Sequence, residues 1–319
     1  MKQLFLHLTI FPFLLFTQNY NGPESIEYNP LNQTYFVSNS GNGQILELNY
    51  NNNLSVFANN INTGPYGLEL VEEYIGEKWV GQILYVCSGG RLYGYDAYGN
   101  QVLNYNMEGS FLNGITQKKN LISGQVELFI TDFLDKKLYI YNTEENNHYE
   151  VCSFNKNPNG VYYDNLTNRL IVVCWGGNAP IYEIDLTNNS YNTLITTSLS
   201  NLDGITMDQC GNFYISAWSS NAIHKYNSDF SETEIIIDGL NNPADIFYNQ
   251  FDNTIGIPNS GNNTVDLINY NCNTNNMPNY TTTNYIIKRI DLLGREATKQ
   301  GFNIEIYNNG VIKKTFLLD

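Results

Sequence analysis

The sequence repeats a short phrase six times, and the spacing of the copies constrains the fold more than any other feature. In most copies a glycine or serine precedes a branched aliphatic residue, and the copies are Pro23-Glu24-Ser25-Ile26, Pro65-Tyr66-Gly67-Leu68, Leu112-Asn113-Gly114-Ile115, Pro158-Asn159-Gly160-Val161, Leu202-Asp203-Gly204-Ile205 and Pro243-Ala244-Asp245-Ile246. Successive copies lie 42, 47, 46, 44 and 41 residues apart. A period of about 40–45 residues is typical of β-propeller blades.

Each copy opens the same succession of strand patterns. In the first unit, alternating runs at 34–37 and 45–48 flank a turn rich in Asn, Ser and Gly, and a weaker run follows at 54–57. Period-two alternation between turn residues predicts strands joined by hairpins. Four strands in each of six units predict an all-β, six-bladed propeller over residues 22–271, with blades starting near 23, 65, 112, 158, 202 and 243.

The last unit has no obvious fourth strand. The missing strand is supplied by the stretch around Asn279 to Asn284, or the ring stays open at this point. The sequence is compatible with both arrangements.

The first 18 residues differ from the repeats. Lys2 precedes an apolar run from Leu4 to Phe16. A charged start followed by an apolar run too short to span a bilayer predicts a secretory signal peptide over residues 1–18. The alternative is a buried first strand. No other segment has the length and hydrophobicity of a membrane span, so we expect a secreted or cell-surface protein without a transmembrane helix.

Composition excludes several classes of function. The net charge of −15 argues against nucleic acid or an anionic membrane as the partner. Three histidines leave almost no material for a Ser-His-Asp triad or a zinc site. Five cysteines, an odd number, leave at least one unpaired in an exported chain, and their spacing assigns no bridge.

The polar residues of the repeats predict a site at the central channel. The residues before the glycine or serine are Glu24, Tyr66, Asn113, Asn159, Asp203 and Ala244, and Asp245 follows the last. Because the first strand of each blade is innermost, these side chains crowd the mouth of the channel. Carboxylate and amide oxygens in a ring suit calcium or another divalent cation. Alternatively, they only cap the inner strands.

These residues carry a resemblance to a known family. The repeats resemble those of NHL-type propellers, and the set Glu24-Ser25, Asn113, Asn159-Gly160 and Asp203-Gly204 resembles the gluconolactonase/regucalcin-like family. That resemblance implies a divalent metal on Glu24, Asn159 and Asp203, with Asn113 contacting substrate or water. It also implies that Asp203 is the catalytic base for attack of water on a lactone. Tyr66 and Asp245 are further candidates for contact with a ligand.

Two departures from the family pattern keep two functions open. Phe111 and Leu112 stand where the family places an arginine that grips the sugar acid, and Ile26-Glu27-Tyr28 replaces the family's Pro-x-Trp. The first hypothesis is a scaffold that binds a small molecule, glycan or protein at one face of the propeller, with a central calcium site. The alternative is a calcium-dependent lactonase or esterase.

The tail carries a second resemblance. After a polar linker over 272–284, residues 285–319 contain Asp-Leu-Leu-Gly-Arg-Glu at 291–296, an alternating strand, Asn309-Gly310 and a Lys-Lys pair. This segment resembles the C-terminal sorting signal of the type IX secretion system of Bacteroidota, which implies the secretion machinery as a partner. Asn-Gly between alternating runs also predicts a β-hairpin. The alternative is a terminal hairpin that docks on the propeller.

Overall fold

The computed structural model describes residues 18–75, 78–120, 123–165, 167–272, 286–290, 301–307 and 312–317. In these ranges the secondary structure is β-strand, without helices, and the repeat region forms six sheets in chain order. The predicted all-β, six-bladed propeller is confirmed. The described residues contain no helix with the length and hydrophobicity needed to span a membrane. Nearly all of the predicted signal peptide lies outside the described residues.

Each of the first five blades is a four-stranded antiparallel sheet built from one continuous stretch of chain. Blades one to three contain β1 (Pro23–Asn29), β2 (Thr34–Asn39), β3 (Gln44–Leu48), β4 (Leu54–Ala58), β5 (Leu68–Ile75), β6 (Lys78–Ser88), β7 (Arg91–Asp96), β8 (Gln101–Asn106), β9 (Leu112–Lys119), β10 (Val126–Asp132), β11 (Lys137–Asn142) and β12 (Asn147–Ser153). Blades four to six contain β13 (Asn157–Asp164), β14 (Arg169–Trp175), β15 (Pro180–Asp185), β16 (Ser190–Thr196), β17 (Leu202–Met207), β18 (Phe213–Ala217), β19 (Ala222–Tyr226), β20 (Thr233–Ile237), β21 (Phe247–Asn249), β22 (Thr254–Asn259) and β23 (Thr264–Asn269).

Asparagine forms many of the turns between these strands. Of the 16 described non-glycine residues with positive φ, 11 are asparagine. Asparagine tolerates the left-handed region because its short amide bonds to nearby backbone. In three turns it also accepts a hydrogen bond from a tyrosine five residues earlier: the pairs are Tyr141–Asn146, Tyr163–Asn168 and Tyr248–Asn253.

The core consists of apolar clusters that lie between neighbouring blades. Leu138 and Phe154 of blade three, for example, share a buried cluster with Leu170 and Tyr182 of blade four. Similar clusters join the other neighbouring pairs. Burial of each large apolar side chain stabilises the fold by roughly 1.5–3 kcal/mol, so the blades hold one another in place.

The sixth blade has three strands within the described residues, and it meets the first blade without sharing a sheet with it. The Asp245 N–H donates to the Glu24 carbonyl at 2.9 Å, and the Gly22 N–H donates to Asn263 Oδ1 at 2.7 Å. Farther along the channel, Asn249 Nδ2 donates to the Tyr35 hydroxyl at 3.0 Å. The stretch around Asn279 to Asn284 lies outside the described residues, so the prediction of a fourth strand from it stays a prediction.

A disulfide joins Cys210 of blade five to Cys272, 62 residues later. Spacing alone assigned no bridge. Cys87, Cys152 and Cys174 are unpaired and buried, consistent with one or more thiols left over from an odd number.

The C-terminal region forms a separate antiparallel sheet of β24 (Ile286–Ile290), β25 (Gly301–Tyr307) and β26 (Ile312–Leu317). Pairing of β25 with β26 confirms the predicted hairpin, and β24 adds a third strand to it. The Asn309-Gly310 turn itself lies outside the described residues.

Candidate functional site

The repeat glycines fix the start of each inner strand against the next blade. The Gly67 N–H donates to the Asn113 carbonyl at 3.1 Å, and a Cβ on Gly67 would lie 2.1 Å from that oxygen. A Cβ on Gly160 would lie 2.4 Å from the Asp203 carbonyl. Only glycine fits such an approach of backbone to backbone. The close approach at the repeat glycines therefore joins neighbouring blades.

Hydroxyl groups on the second strands complete this arrangement. Thr131 Oγ1 accepts from the Gly114 N–H at 2.9 Å and donates to the Asn159 carbonyl at 2.6 Å. Ser216 Oγ accepts from the Gly204 N–H at 2.7 Å and donates to the Ala244 carbonyl at 2.7 Å. Each hydroxyl thus fixes the backbone that carries the next polar side chain around the ring.

Blades one and six carry a side chain where the other blades have glycine. Ser25 Oγ donates to Asp245 Oδ2 at 2.8 Å and accepts from the Leu68 N–H at 3.2 Å. Burial raises the pKa of Asp245 to about 7, against the opposing effect of the Ser25 hydrogen bond. Asp245, a predicted ligand contact, is therefore fixed at the seam between the two blades.

Glu24 begins the inner strand of the first blade and is half-buried. Its Oε1 accepts from Ser260 Oγ at 3.3 Å. Burial raises the pKa of Glu24 to about 7; the Ser260 hydrogen bond opposes this shift and the negative charge of Asp245 adds to it. The pKa of the Tyr66 hydroxyl, in the next blade, is raised first by burial and then by the negative charge of Glu24. Tyr66 therefore lies close enough to Glu24 to interact with its charge.

Asp203 is buried at the start of the inner strand of blade five. Burial raises its pKa well above the usual range, and the charges of Glu24 and Asp245 add to the shift. The side chains of Trp218 and Asn159 act in the opposite direction. The Trp218 indole nitrogen is buried and has no acceptor of hydrogen-bonding geometry among the described residues. The Trp218 indole thus lies close enough to Asp203 to act on its carboxylate.

The oxygen atoms of the predicted metal ligands are of the kind that binds a hard cation such as calcium. Glu24 and Asp203 supply carboxylates, and Asn159 supplies an amide oxygen. Asn159 Nδ2 donates to the Leu202 carbonyl at 3.3 Å, so the amide must turn for its oxygen to join Asp203 on one ion. Among the described residues, the ligand atoms of Glu24, Asp203 and Asp245 do not all lie within 4.8 Å of one another. Asn113 is half-buried, and its backbone carbonyl accepts a hydrogen bond from the Gly67 N–H.

Five aromatic side chains follow the same end of the channel from blade two to blade five. We call them the aromatic arc: Tyr66, Phe111, Phe133, Trp175 and Trp218. Neighbouring ring centroids in this order lie 4.6, 5.6, 6.0 and 4.9 Å apart, with edge-to-face geometry. All five are half-buried. One end of the arc lies near Glu24 and the other near Asp203.

Sequence reasoning missed most of the aromatic arc. It considered Tyr66, and it noted Phe111 only as the replacement for an arginine. A signal was present, because Phe133, Trp175 and Trp218 stand at the end of the second strand, or one residue after it, in three consecutive blades. The contacts between them cross from blade to blade, so a strand pattern within one blade does not reveal them.

Comparison with known proteins supports the fold. A gluconolactonase from Xanthomonas campestris has 15% sequence identity and a TM-score of 0.61, over 75% of this chain and 83% of that chain. An auxiliary nutrient binding protein from Bacteroides thetaiotaomicron has 9% identity and a TM-score of 0.58, over 77% and 68%. The virginiamycin B lyase of Staphylococcus aureus has 13% identity and a TM-score of 0.54, over 94% and 98%. At these identities the likeness extends to the propeller fold alone. No family model and no curated protein matches the sequence.

Proposed function

We propose that this chain is a secreted or cell-surface binding protein that takes a polyhydroxylated ligand, a sugar or sugar acid, at the aromatic arc. The observation that carries this proposal is the placement of the arc. Its half-buried rings extend between two carboxylates, with Tyr66 near Glu24 and Trp218 near Asp203.

The chemistry of such a ligand matches these groups. The C–H face of a sugar ring packs on aromatic side chains, and its hydroxyls need a few fixed polar partners. Glu24 and Asn113 supply acceptors and donors at the edge of the arc, and the Trp218 indole N–H has no other acceptor among the described residues. Asp245 is held by Ser25 close to Glu24 and acts on it mainly through its charge.

A divalent cation such as calcium belongs to the same proposal. Glu24, Asp203 and, after rotation of its amide, Asn159 would hold it. Burial, and after it the negative charge of neighbouring carboxylates, raises the pKa of Glu24 and Asp203, and the cation would offset that charge. It would also offer open coordination positions to ligand hydroxyls. The nutrient binding protein among the structural neighbours is in keeping with a binding role.

A lactonase or esterase is the second candidate. The gluconolactonase among the neighbours and the position of Asp203 favour it. In this reading Asp203 removes a proton from the attacking water. The absence of an arginine at Phe111 and Leu112 removes a group that would hold a sugar acid.

Calorimetry with a panel of sugars, gluconate and gluconolactone, with and without calcium chloride, tests the proposal. We expect Trp175→Ala to weaken binding by about tenfold or more, because a stacking ring is lost. Tyr98→Ala is the matched control, since Tyr98 is 87% exposed and lies away from the arc. Equal affinity in Trp175→Ala and Tyr98→Ala would contradict the proposed site. Turnover of the lactone that stops in Asp203→Asn would favour the hydrolase instead.

Export and surface delivery remain part of the proposal. Residues 1–18 would direct the chain across the inner membrane, and residues 285–319 would engage the secretion machinery. Intact mass of the protein recovered from the medium or the cell surface tests both. A mature protein that retains residues 1–18 would refute the signal peptide.

A further inference from the structure

The channel contains a second candidate site at its other end. The middle and later residues of the six inner strands surround a cavity of about 730 Å³, which we call the strand-end cavity. Glu27 and Glu69 line it, each three residues further along its strand than Glu24 and Tyr66. Glu24, Asn159 and Asp203 do not line it. The cavity is therefore distinct from the proposed sugar site.

Glu27 faces this cavity without a partner. It is only 8% exposed, and the groups of the described residues that act on its carboxylate are themselves carboxylates. Burial raises its pKa well above the usual range, and the charges of Glu69 and Asp245 add to the shift. A buried carboxylate with neither a donor nor an opposite charge is costly, so a cationic ligand would satisfy it.

Glu69 lies beside Glu27 and has a single polar partner. Gln117 Nε2 donates to Glu69 Oε1 at 2.6 Å and also to the Leu70 carbonyl at 2.8 Å. Burial raises the pKa of Glu69 to about 8; the Gln117 hydrogen bond opposes the shift and the charge of Asp245 adds to it. The hydrogen bonds to the Glu69 carboxylate thus come from Gln117, through both its side-chain amide and its backbone N–H.

The charged residues lining the cavity are Glu27, Glu69, Asp245 and Lys119. Lys119 Nζ donates to the Glu72 carbonyl at 3.1 Å. The cavity thus carries three carboxylates against one ammonium group that is bonded elsewhere.

The remaining wall is largely apolar and aromatic. The aliphatic residue of each repeat phrase lines it: Ile26, Leu68, Ile115, Val161, Ile205 and Ile246. Tyr162 and Phe247 add rings at the level of Glu27, and Phe251 is 81% exposed, with its ring centroid 5.8 Å from that of Tyr28. The Tyr162 hydroxyl has a raised pKa, through burial and then the charges of Asp164, Glu69 and others.

We propose that the strand-end cavity binds a small organic cation, a primary or quaternary ammonium compound, with its charge on Glu27 and Glu69 and its carbon body against the apolar wall. The volume lies within the range of roughly 300–1,000 Å³ of small-molecule sites, which are mostly apolar with a few placed polar groups. The tyrosine and phenylalanine rings add cation–π attraction for the same charge.

The cavity favours an organic cation over a metal ion for two reasons. A metal ion needs several oxygens gathered around one point, at about 2.0–2.6 Å. The ligand atoms of Glu27, Glu69 and Asp245 do not all lie within 4.8 Å of one another. A bare ion would also leave the aliphatic and aromatic wall unused.

Calorimetry with n-butylammonium and tetramethylammonium chloride tests this proposal, with n-butanol as the neutral isostere and calcium chloride as the metal alone. We expect one ammonium probe to bind, n-butanol to bind at least about tenfold more weakly, and Glu27→Gln and Glu69→Gln each to weaken the ammonium by about tenfold or more. Glu144→Gln, at an exposed turn, is the matched control for loss of one negative charge.

Several outcomes would overturn the proposal. These are no ammonium binding, equal binding in Glu27→Gln and Glu144→Gln, and displacement of the ammonium by calcium at this cavity, which would make it a metal site. If a glutamine variant fails to fold, Phe251→Ala reports on the same cavity, because it removes a ring that the proposal places against the cation; unchanged ammonium affinity in this variant would overturn the proposal. Sugar binding at the aromatic arc should persist in all of these variants, so failure of one site is distinguishable from failure of the other.

Discussion

The repeat glycines are structural residues whose position controls the candidate site. Gly160 carries no side chain because the Asp203 carbonyl of the next blade occupies that space. The same contact sets where the Asp203 side chain begins. Gly160 packs against the next blade, and this packing also sets the position of the Asp203 side chain in the candidate site.

We expect Gly160→Ala to lower the free energy of unfolding by about 1–3 kcal/mol, because the new Cβ would lie 2.4 Å from a backbone oxygen. Gly177→Ala is the control, since a Cβ there would meet only Ser200 Oγ at 3.8 Å. Urea unfolding of both variants checks the difference. A loss in Gly160→Ala no larger than in Gly177→Ala would contradict the contact.

Residues that act within one repeat could be read from the sequence, and residues that act between blades could not. Ser25 and Asp245 stand at the glycine position of their repeats, which is visible in an alignment of the six copies. Their hydrogen bond across the seam is not visible, because they are 220 residues apart. Glu27 was noted only as a departure from a family pattern, since its lack of a partner depends on what the other five inner strands place around it.

The sixth blade is the element with the least support from its own sheet. It has three strands in the described structure, whereas the other five blades have four. The Cys210–Cys272 disulfide compensates by fastening the end of this blade to the turn after β17. Strand alternation predicted the blade, but a pairing across 62 residues leaves no local pattern in the sequence.

We expect the double variant Cys210→Ser, Cys272→Ser to lose about 2–4 kcal/mol of unfolding free energy, because a long loop of the unfolded chain is no longer closed. Denaturant titration with and without a reducing agent checks this. Reductant should destabilise the wild type and leave the double variant unchanged, since Cys87, Cys152 and Cys174 form no bridge. An equal effect of reductant on both proteins would argue against the bridge as the cause.

At the scale of the whole molecule, the propeller places a line of carboxylates along its axis. Asp245 acts on Glu24 and Asp203 toward one end and on Glu27 and Glu69 toward the other. The two proposed sites open at opposite ends of the channel, but the negative charge of Asp245 acts on the carboxylates of both. Strand periodicity gave the blades and their order, but it did not show how far each carboxylate is buried, because burial depends on closure of the ring.

The free protein should become less stable as the pH rises from about 4 to about 8. Asp and Glu titrate near pH 4 in an unfolded chain, whereas the pKa is about 7 for Asp245 and about 8 for Glu69 in the fold. The folded state holds more protons between these values, so their stabilising effect is complete below about pH 4 and lost above about pH 8. Exposed Asp96 and Asp185 have lowered pKa values, so their effect on stability has the opposite sign and is lost as the pH falls below about 4.

Thermal unfolding in chelator across this pH range checks the direction. Glu69→Gln should flatten the decline, since the amide does not ionise, and Glu144→Gln at an exposed turn should not. A melting temperature that rises steadily over the range, or the same slope in both variants, would contradict the assignment.

The disulfide also decides how the molecule would carry a mechanical load. If residues beyond 272 tether the protein to a surface, a pull on that tether reaches Cys272 and passes through the sulfur–sulfur bond to Cys210 in blade five. The intervening chain, which contains the whole sixth blade, lies off the line of force. Fully stretched, those roughly 62 residues would add about 200 Å of slack. Because the disulfide carries the force, these residues are not extended. The sixth blade therefore stays folded while the tether is under tension.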